Sequence, residues 1–219
     1  MPAGKAATPV AGQRPEARVL GRMGYAEALA LQEEAAAAVK AGMSAGVIFI
    51  LEHGPVITLG ANKPVNTVLC APPGVAVVQT DRGGGATAHN PGQLVVYPVV
   101  ALRALGFGVK SFVAWLLELG RELLADYGVA ATCRSNPLGL WVGERKIASL
   151  GIHVSRGVAT HGIAVNLDND LRLFNAIVPC GLAGVAMTSV AAETGKPVDM
   201  AAAMARMAGR VTEALAQRP

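Results

Sequence analysis

A glycine-rich segment, Arg82–Gln93, carries the densest group of side chains in this chain that could do chemistry. Its three consecutive glycines, Gly83–Gly85, permit a positive φ and a close approach of the backbone to a ligand, because they have no Cβ. An arginine precedes them, His89 follows them, and an apolar run, Leu94–Val100, comes next. This order is typical of a binding loop attached to a buried strand. A tight surface turn is the alternative that the glycines alone allow.

A second candidate is Cys180, which lies between Pro179 and Gly181. The proline restricts the backbone on one side and the glycine leaves the other side open, so a thiol here can be both positioned and accessible. Cysteine is a strong nucleophile only as the thiolate, which is a minor species at pH 7 unless a neighbouring cation stabilises it. The alternative is a buried structural cysteine, which is our interpretation of Cys70 and Cys133.

A third candidate is Lys146, at the start of the run Lys146–Val154. From its residue type alone, a solvated lysine is the more common situation, because lysine is seldom buried without a partner. Ser149 and Gly151 follow in the same run and offer small side chains and backbone groups to a ligand.

The four histidines are scattered and show no spacing typical of a zinc site. We expect His89, at the end of the glycine segment, to contact a ligand. For His161 a general base, a ligand donor and a core histidine all remain open, and we favour a structural or substrate-positioning role. His153 is interpreted as an ordinary residue of a strand.

The spacing of hydrophobic residues predicts the helices and strands that must hold these candidate residues. Apolar residues at helical spacing, often with a glycine at the end, predict three helices: Tyr25–Ala41, Lys110–Tyr127 with Ser111 as its cap, and Met200–Gln217. Short apolar runs between turns predict seven strands: Val47–Leu51, Val56–Leu59, Val75–Thr80, Leu94–Val100, Leu140–Val142, Lys146–Val154 and Thr160–Leu167. Because Leu94–Val100 contains a proline, we expect that strand to bulge or to end early. The irregular mixture of elements favours an α+β fold over a doubly wound parallel sheet.

Length and composition narrow the class of protein. The chain has 219 residues, of which 52% are hydrophobic, and its mean hydropathy of +0.41 argues against disorder. The net charge of +4 is spread without a basic run, and aromatic residues make up only 4%, so we predict no nucleic-acid partner. No apolar run is long enough for a membrane span. Three cysteines without secretory features indicate a cytoplasmic protein with reduced thiols.

The amino-terminal residues differ from the rest of the chain. We expect residues 1–18 to form a flexible leader and residues 19–219 to form a single domain. The leader is poor in acidic residues and rich in alanine, so an organellar transit segment is the alternative.

Several segments, taken together and in order, resemble the lipoyl(octanoyl) transferases, also called octanoyl-[acyl-carrier-protein]:protein N-octanoyltransferases. The similarity runs from about Tyr25 to about Ser189. It is carried by Leu51–Pro55 with Thr58–Gly60, the glycine segment Arg82–Gln93, Gly143 with Lys146–Gly151, His161–Gly162 with Asn166–Leu167, Phe174, and Pro179–Gly181. Each segment alone is of moderate specificity, whereas their shared order is highly specific.

The resemblance implies a fold like that of biotin and lipoate protein ligases, with a mixed or antiparallel sheet flanked by helices. It implies transfer of an octanoyl or lipoyl group from acyl carrier protein to a lysine of lipoyl domains, without a cofactor or metal. The acceptors would be lipoyl domains of 2-oxoacid dehydrogenases and the glycine cleavage H protein. Cys180 would form the acyl-thioester and Lys146 would be its partner. The residues that would bind substrate are Arg82, Gly83, Gly84, Gly85, Ala86, Thr87, Ala88, His89, Ser149, Leu150, Gly151, Gly162, Ile163 and Ala164.

The chain departs from the family pattern at two positions of the glycine segment. Asn90 stands where the family usually has glycine, and we expect it to tolerate a left-handed backbone with little strain. Ala88 stands where the family often has an aromatic residue, and we expect it to alter the shape of the acyl pocket.

Three other functions remain open from the sequence. An ATP-dependent lipoate or biotin protein ligase would use the glycine segment for an acyl-adenylate and would need no cysteine, so Cys180 argues against it. A non-catalytic acyl-binding module would have no use for a thiol and a lysine together. An amidotransferase that moves acyl groups between lipoyl domains would differ only in its donor.

Overall fold

The computed structural model describes residues 13–178 and 185–218. The described helices are α1 (Tyr25–Lys40), α2 (Val109–Asp126), α3 (Val190–Thr194) and α4 (Met200–Ala216). The described strands are β1 (Glu16–Met23), β2 (Gly46–His53), β3 (Val56–Leu59), β4 (Thr67–Val68), β5 (Ala76–Gln79), β6 (Thr87–His89), β7 (Gln93–Ala101), β8 (Thr132–Ser135), β9 (Leu138–Val142), β10 (Arg145–Ser155), β11 (Val158–Asn166) and β12 (Ile177–Val178). Short 3₁₀ turns occupy Lys63–Val65, Leu102–Leu105 and Leu171–Ala176.

The main sheet is mixed and runs in the order β1-β2-β7-β11-β10-β9-β8. The outer pair β1 and β2 is parallel, and the remaining neighbours are antiparallel. Two small sheets, β5-β3-β6 and β12-β4, stand beside it. The expected α+β architecture, with a mixed sheet and flanking helices, is confirmed.

Successive residues of a strand point to opposite faces of a sheet, and here the two faces meet different helices. On one face, apolar residues such as Val96 and Ile163 pack with α2 and α4 around Leu116 and Met207. On the other face, Val95, Tyr97 and Val99 pack with α1. A third, smaller apolar cluster lies among β3, β6, β12 and the turn that precedes β12.

The expected helices are present, with ends that differ by at most one residue. The cap of α2 differs from the prediction. Gly108 is the N-cap, and Ser111 lies three residues into the helix, where its hydroxyl accepts a hydrogen bond from the Gly108 N–H at 3.0 Å. The expected cap residue therefore does act on the helix start, but from inside the first turn.

The seven expected strands are present, and the sequence missed β1, β4, β6, β8 and β12. Residues 16–18 belong to β1, so ordered structure begins before the expected domain boundary at residue 19. Arg14 also donates a hydrogen bond to the carbonyl of Ala216 at 2.7 Å. The single domain over residues 19–219 remains a prediction, and residues 1–12 lie outside the described residues.

Pro98 does not end β7, which continues to Ala101. Proline cannot donate to a neighbouring strand and is normally kept out of central strands. Here Pro98 is in register with Ile48 on one side, while the register pairs with β11 stop at Val96 and resume at Val100. The effect of the proline is therefore a local gap in pairing with β11, rather than the expected bulge or early end.

Cys70 and Cys133 are exposed, which corrects the expectation of buried structural thiols. Cys70 follows the short strand β4, and Cys133 lies in the edge strand β8, which pairs with a neighbouring strand on one side only. Within residues 13–178 and 185–218, no helix has the length and hydrophobicity that crossing a membrane requires.

Candidate active site

A cavity that is partly open to solvent lies on the main sheet. Its walls come from the glycine segment, which includes β6, from β10 and β11, and from one residue of β7. The lining residues are Arg82, Gly83, Gly84, Gly85, Ala86, Thr87, His89, Tyr97, Lys146, Ser149, Leu150, Gly151, His161, Gly162, Ile163 and Ala164.

The glycine segment is held against β10 by backbone contacts. The Gly83 N–H donates to the carbonyl of Ile152 at 2.9 Å, and Gly84 has a φ of +87°. A Cβ at Gly151 would lie 2.5 Å from the Gly83 oxygen. The absence of side chains at Gly83 and Gly151 therefore permits a close approach of the two backbones that a Cβ would prevent.

Arg82 fixes the start of the glycine segment to β3. Its guanidinium is buried and donates hydrogen bonds to the Thr58 carbonyl at 2.7 Å and to the Thr58 hydroxyl at 2.8 Å. Arginine is suited to this task because its planar fork donates several bonds in fixed directions. Much of its donor capacity is thus used to shape the loop.

His89 is buried and its proton can be assigned from its neighbours. The Gln93 amide donates to the Ala88 carbonyl at 3.2 Å and to Asn166 Oδ1 at 2.9 Å, so Gln93 Oε1 is the acceptor that faces His89 Nδ1 at 2.7 Å. We therefore infer that Nδ1 carries the proton. Burial lowers the pKa of His89 to about 3, so the ring is neutral at pH 7.

The same amide network reaches the chain segment that follows Cys180. Asn166 Nδ2 donates to the Thr188 carbonyl at 2.9 Å. Asn169 donates to Asn166 Oδ1 at 3.3 Å and to Asn90 Oδ1 at 3.1 Å. The end of the glycine segment is therefore joined to residues 185–189 through buried amides rather than through charges.

Asn90 uses its side chain instead of an unusual backbone conformation. Among the described non-glycine residues, positive φ values occur at Arg156 and His161, so Asn90 does not need the left-handed backbone that it was expected to tolerate. Its amide donates to the Asp170 carbonyl at 2.8 Å. The asparagine thus contributes a connection that glycine could not make.

Lys146 lies in the cavity wall and is only 1% exposed. The pairing of β10 with β9 shifts register between Lys146 and Ala148. Its Nζ lies 5.7 Å from the centre of the Trp141 ring, and a Cβ at Gly139 would come 2.6 Å from Lys146 Cε. The irregular pairing and the missing side chain at Gly139 together make room for a buried amine.

Backbone hydrogen bonds join Lys146 to the chain beyond residue 184. The Lys146 N–H donates to the Ala186 carbonyl at 2.8 Å, and the Thr188 N–H donates to the Lys146 carbonyl at 2.9 Å. In the sequence, Cys180 stands six residues before Ala186. Cys180 itself, with residues 179–184, lies outside the described residues.

The predicted substrate-binding residues come together around this cavity, with one exception. Ala88 is fully buried in the small apolar cluster, where it is in register with Ile57 of β3, and it does not line the cavity. Its expected effect on the pocket shape is therefore not direct.

The sequence did not single out Tyr97 and left His161 as one of several alternatives, yet both line the cavity. Strand alternation places Tyr97 on the same face as Val95 and Val99, a signal that was available from the sequence. Its hydroxyl lies 3.0 Å from His53 Nε2, and His53 Nδ1 lies 3.1 Å from the Met23 carbonyl. Burial lowers the pKa of His53 to about 4, so this ring is neutral at pH 7 and accepts a hydrogen bond from Tyr97.

Comparison with known proteins agrees with this geometry. A family model described as the lipoyl protein ligase A/B catalytic domain matches residues 24–212. The chain belongs to this family. This chain is 46% identical to an octanoyltransferase of Desulfovibrio desulfuricans over 187 residues, which cover 82% of this chain and 77% of that protein. The resemblance drawn from the sequence is thereby confirmed.

Solved structures show the same fold at much lower identity. A crystal structure of lipoate-protein ligase A bound with ATP has a TM-score of 0.72 at 16% identity, covering 92% of this chain and 86% of that chain. Biotin protein ligase from Aquifex aeolicus, in complex with biotin and ATP, has a TM-score of 0.56 at 15% identity and covers 92% of this chain and 71% of that chain. The expected likeness of this family member's fold to biotin and lipoate protein ligases is confirmed.

Proposed function

We propose that this chain transfers an octanoyl or lipoyl group from acyl carrier protein, through a thioester on Cys180, to a lysine of lipoyl domains. The observation that supports octanoyl transfer most directly is the 46% identity to an octanoyltransferase over 187 residues. The cavity adds a site of suitable chemistry, with glycine backbone and apolar side chains beside a buried lysine.

The cavity suits an acyl chain because its walls carry little polar surface. Leu150, Ile163 and Ala164 supply apolar atoms, and the backbone of Gly83–Gly85 lines the opposite part. Such walls take up the hydrocarbon, while a few polar groups orient the reacting carbonyl. The proposed substrate-binding residues are those of the glycine segment that line the cavity, together with Ser149–Gly151 of β10 and Gly162–Ala164 of β11.

The proposed reaction has two half-reactions. The Cys180 thiolate attacks the carbonyl carbon of the octanoyl thioester, a new C–S bond forms, and the carrier thiolate leaves and takes up a proton. The lysine amine of the acceptor then attacks the acyl-enzyme, a C–N bond forms, the amine loses a proton, and the Cys180 thiolate is released. The buried Lys146 serves this cycle either as an ammonium that stabilises the thiolate or as an amine that accepts a proton.

The proposed acceptors are lipoyl domains of 2-oxoacid dehydrogenases and the glycine cleavage H protein. The family places this chain among proteins that act in lipoylation. Acyl carrier protein as donor distinguishes this proposal from an amidotransferase that takes its acyl group from another lipoyl domain.

The decisive test is to incubate the protein with octanoyl-acyl carrier protein and to look for an octanoyl adduct by intact mass spectrometry. We expect an adduct in the wild type that disappears when a lipoyl domain is added. Cys180→Ser removes the thiol and should abolish transfer, whereas Cys133→Ser, at an exposed thiol, is the matched control and should retain it.

Parallel reactions separate the other functions. Octanoyl-loaded lipoyl domain as the only effective donor would replace the proposal with an amidotransferase, and activity that requires ATP and free lipoate would replace it with a ligase. Full transfer activity in Cys180→Ser would show that the thioester mechanism is wrong.

A further inference from the structure

His161 has a backbone conformation that is unusual for a histidine. Its φ is +56°, in the left-handed region that non-glycine residues rarely adopt, and it lies in the stretch where pairing of β7 with β11 is interrupted. The His161 N–H donates instead to Gln32 Oε1 of α1 at 2.8 Å. Strained residues of this kind are costly and are concentrated at functional sites.

The position of the proton on His161 follows from its partner. Nε2 lies 2.7 Å from a carboxylate oxygen of Asp81, and an ionised carboxylate can only accept. Nε2 therefore carries the proton, and Nδ1 of the neutral ring has a free lone pair. Within the described residues, Nδ1 has no hydrogen-bond partner, although the side chain is only 2% exposed.

His161 is one of the residues that line the same cavity as Lys146, Ser149 and Gly151, and it also lines a neighbouring surface pocket together with Asp81. A buried hydrogen-bond acceptor without a partner lowers stability unless a bound molecule satisfies it. The strain, the carboxylate that orients the ring, and the unpartnered nitrogen all occur at one residue of this cavity.

We propose that His161 is a further catalytic residue, whose Nδ1 accepts the proton from the acceptor lysine's amine as that amine attacks the acyl-enzyme. This inference rests on the proposed octanoyl transfer and assigns to His161 the second half-reaction alone. Lys146 then serves the Cys180 thiol in the first half-reaction.

The proton and electron count of the step is complete. The amine lone pair forms the C–N bond to the carbonyl carbon, and the N–H proton moves to His161 Nδ1. The C–S bond breaks with its electron pair on Cys180, which leaves as thiolate. Asp81 stabilises the imidazolium through the hydrogen bond at Nε2, and the ring returns to its neutral form by giving the proton to solvent.

The surroundings of His161 favour the neutral ring that a base needs. Burial lowers the pKa of His161, and Arg82 and His153 act in the same direction, while the hydrogen bond with Asp81 opposes them. Tyr97 faces the ring edge to face at 6.3 Å between centroids. Because the pKa lies below 6.5, the base form is present at pH 7 and is lost as the pH falls.

The test separates the two half-reactions. The protein is first loaded with octanoyl-acyl carrier protein and freed of donor, and a lipoyl domain is then added while loss of the octanoyl adduct is followed by mass spectrometry. We expect His161→Gln to acquire the adduct at close to the wild-type rate and to lose it about 10²–10⁴ times more slowly.

A second variant addresses the proton assignment. In Asp81→Asn, the amide can donate to Nε2, which would move the ring proton to Nδ1 and remove the acceptor. Asp81 is 61% exposed, so this change perturbs folding less than a change at His161. We expect it to slow the second half-reaction and leave the first unchanged.

His153→Gln is the matched control, because His153 Nε2 also lies near Asp81, at 3.5 Å, yet its side chain is 37% exposed and does not line the cavity. It should change neither half-reaction. The ratio of wild-type to His161→Gln rates in the second half-reaction should fall towards one as the pH is lowered below 6.5.

Equal slowing of both half-reactions in folded His161→Gln and Asp81→Asn would indicate a structural role and overturn the inference, as would unchanged rates in both variants. A wild-type protein that never acquires the adduct would instead refute the proposed function. The two failures are therefore distinguishable.

Discussion

The two faces of the main sheet are built from the same strands but have opposite contents. In β7, Leu94 and Val96 point to the face covered by α2 and α4, which is filled by apolar side chains. The alternate residues of the same strand include Tyr97, on the face where α1 and the cavity lie, and that face buries His53 and His161. The apolar face stabilises the fold through buried apolar surface. The cavity face holds buried polar side chains, which need hydrogen-bond partners to be stable there.

This difference indicates where stability and activity are separable. Burying apolar surface contributes roughly 25 cal/mol per Å², whereas a buried polar group lowers stability unless it finds a partner. Substitutions on the apolar face should therefore change the free energy of unfolding more than the chemistry. Substitutions on the cavity face should do the reverse.

Lys146→Met is the strongest test of the cavity face. Methionine fills a similar volume but has no amine, so we expect the rate of octanoyl transfer to fall about 10²–10⁴-fold, the range for loss of an acid or base. Steady-state transfer to a lipoyl domain measures the effect, and thermal unfolding should show that the fold is retained.

Lys110→Met is the control for this substitution, because Lys110 is exposed in the first turn of α2. It should transfer at the wild-type rate. Comparable losses in both variants would show that general charge, rather than the amine in the cavity, supports activity.

Phe112→Ala tests the apolar face. Phe112 is fully buried on α2, and its ring lies 5.4 Å from that of Phe107 and 5.7 Å from that of Trp115, measured between centroids. The lost burial and the cavity left behind should lower the free energy of unfolding by about 3–5 kcal/mol. Urea denaturation measures this change.

The transfer rate of Phe112→Ala should match the wild type at a temperature where both proteins are folded. A large loss of rate with little loss of stability would mean that the two faces are not separable in this way.

We expect acid to lower the free energy of unfolding through the buried histidines of the cavity face. The pKa values of His53 and His89 are lowered to about 4 and about 3, mainly by burial, from about 6.5 in the unfolded chain. As the pH falls below 6.5 the unfolded chain binds protons first, so each histidine should remove about 2 kcal/mol of stability by pH 5. Unfolding free energies measured at pH 7 and pH 5 give the size of this loss.

His89→Gln should shrink the loss between pH 7 and pH 5 by about 2 kcal/mol, because one of the two titrating groups is gone. An identical pH dependence in the variant and the wild type would show that His89 is not buried in its neutral form.

Much of the apolar face could be predicted from sequence, because its signal is local. In α2 the residues Phe112, Leu116, Leu119 and Leu123 recur at helical spacing, and each is buried as expected. The glycine segment was also recognisable, since consecutive glycines followed by polar side chains are unusual outside a shaped loop.

The polar contacts of the cavity face could not be predicted in the same way, because they join residues far apart in the chain. Asp81 and His161 are 80 residues apart, and their hydrogen bond depends on how β11 crosses the sheet. The edge strands β1 and β8 were missed for a related reason. With neighbours on one side only, they have mixed exposure and carry no clear hydrophobic alternation.

The close packing of Lys146 over Gly139 has a consequence for how this protein can change over generations. Every replacement of glycine adds a Cβ, which at this position would come 2.3 Å from the Ala148 carbonyl oxygen and 2.6 Å from Lys146 Cε, while the backbone φ is +152°. We therefore expect position 139 to tolerate only glycine. Such intolerance to substitution would reflect close packing against the backbone and a neighbouring side chain, not a second reactive group.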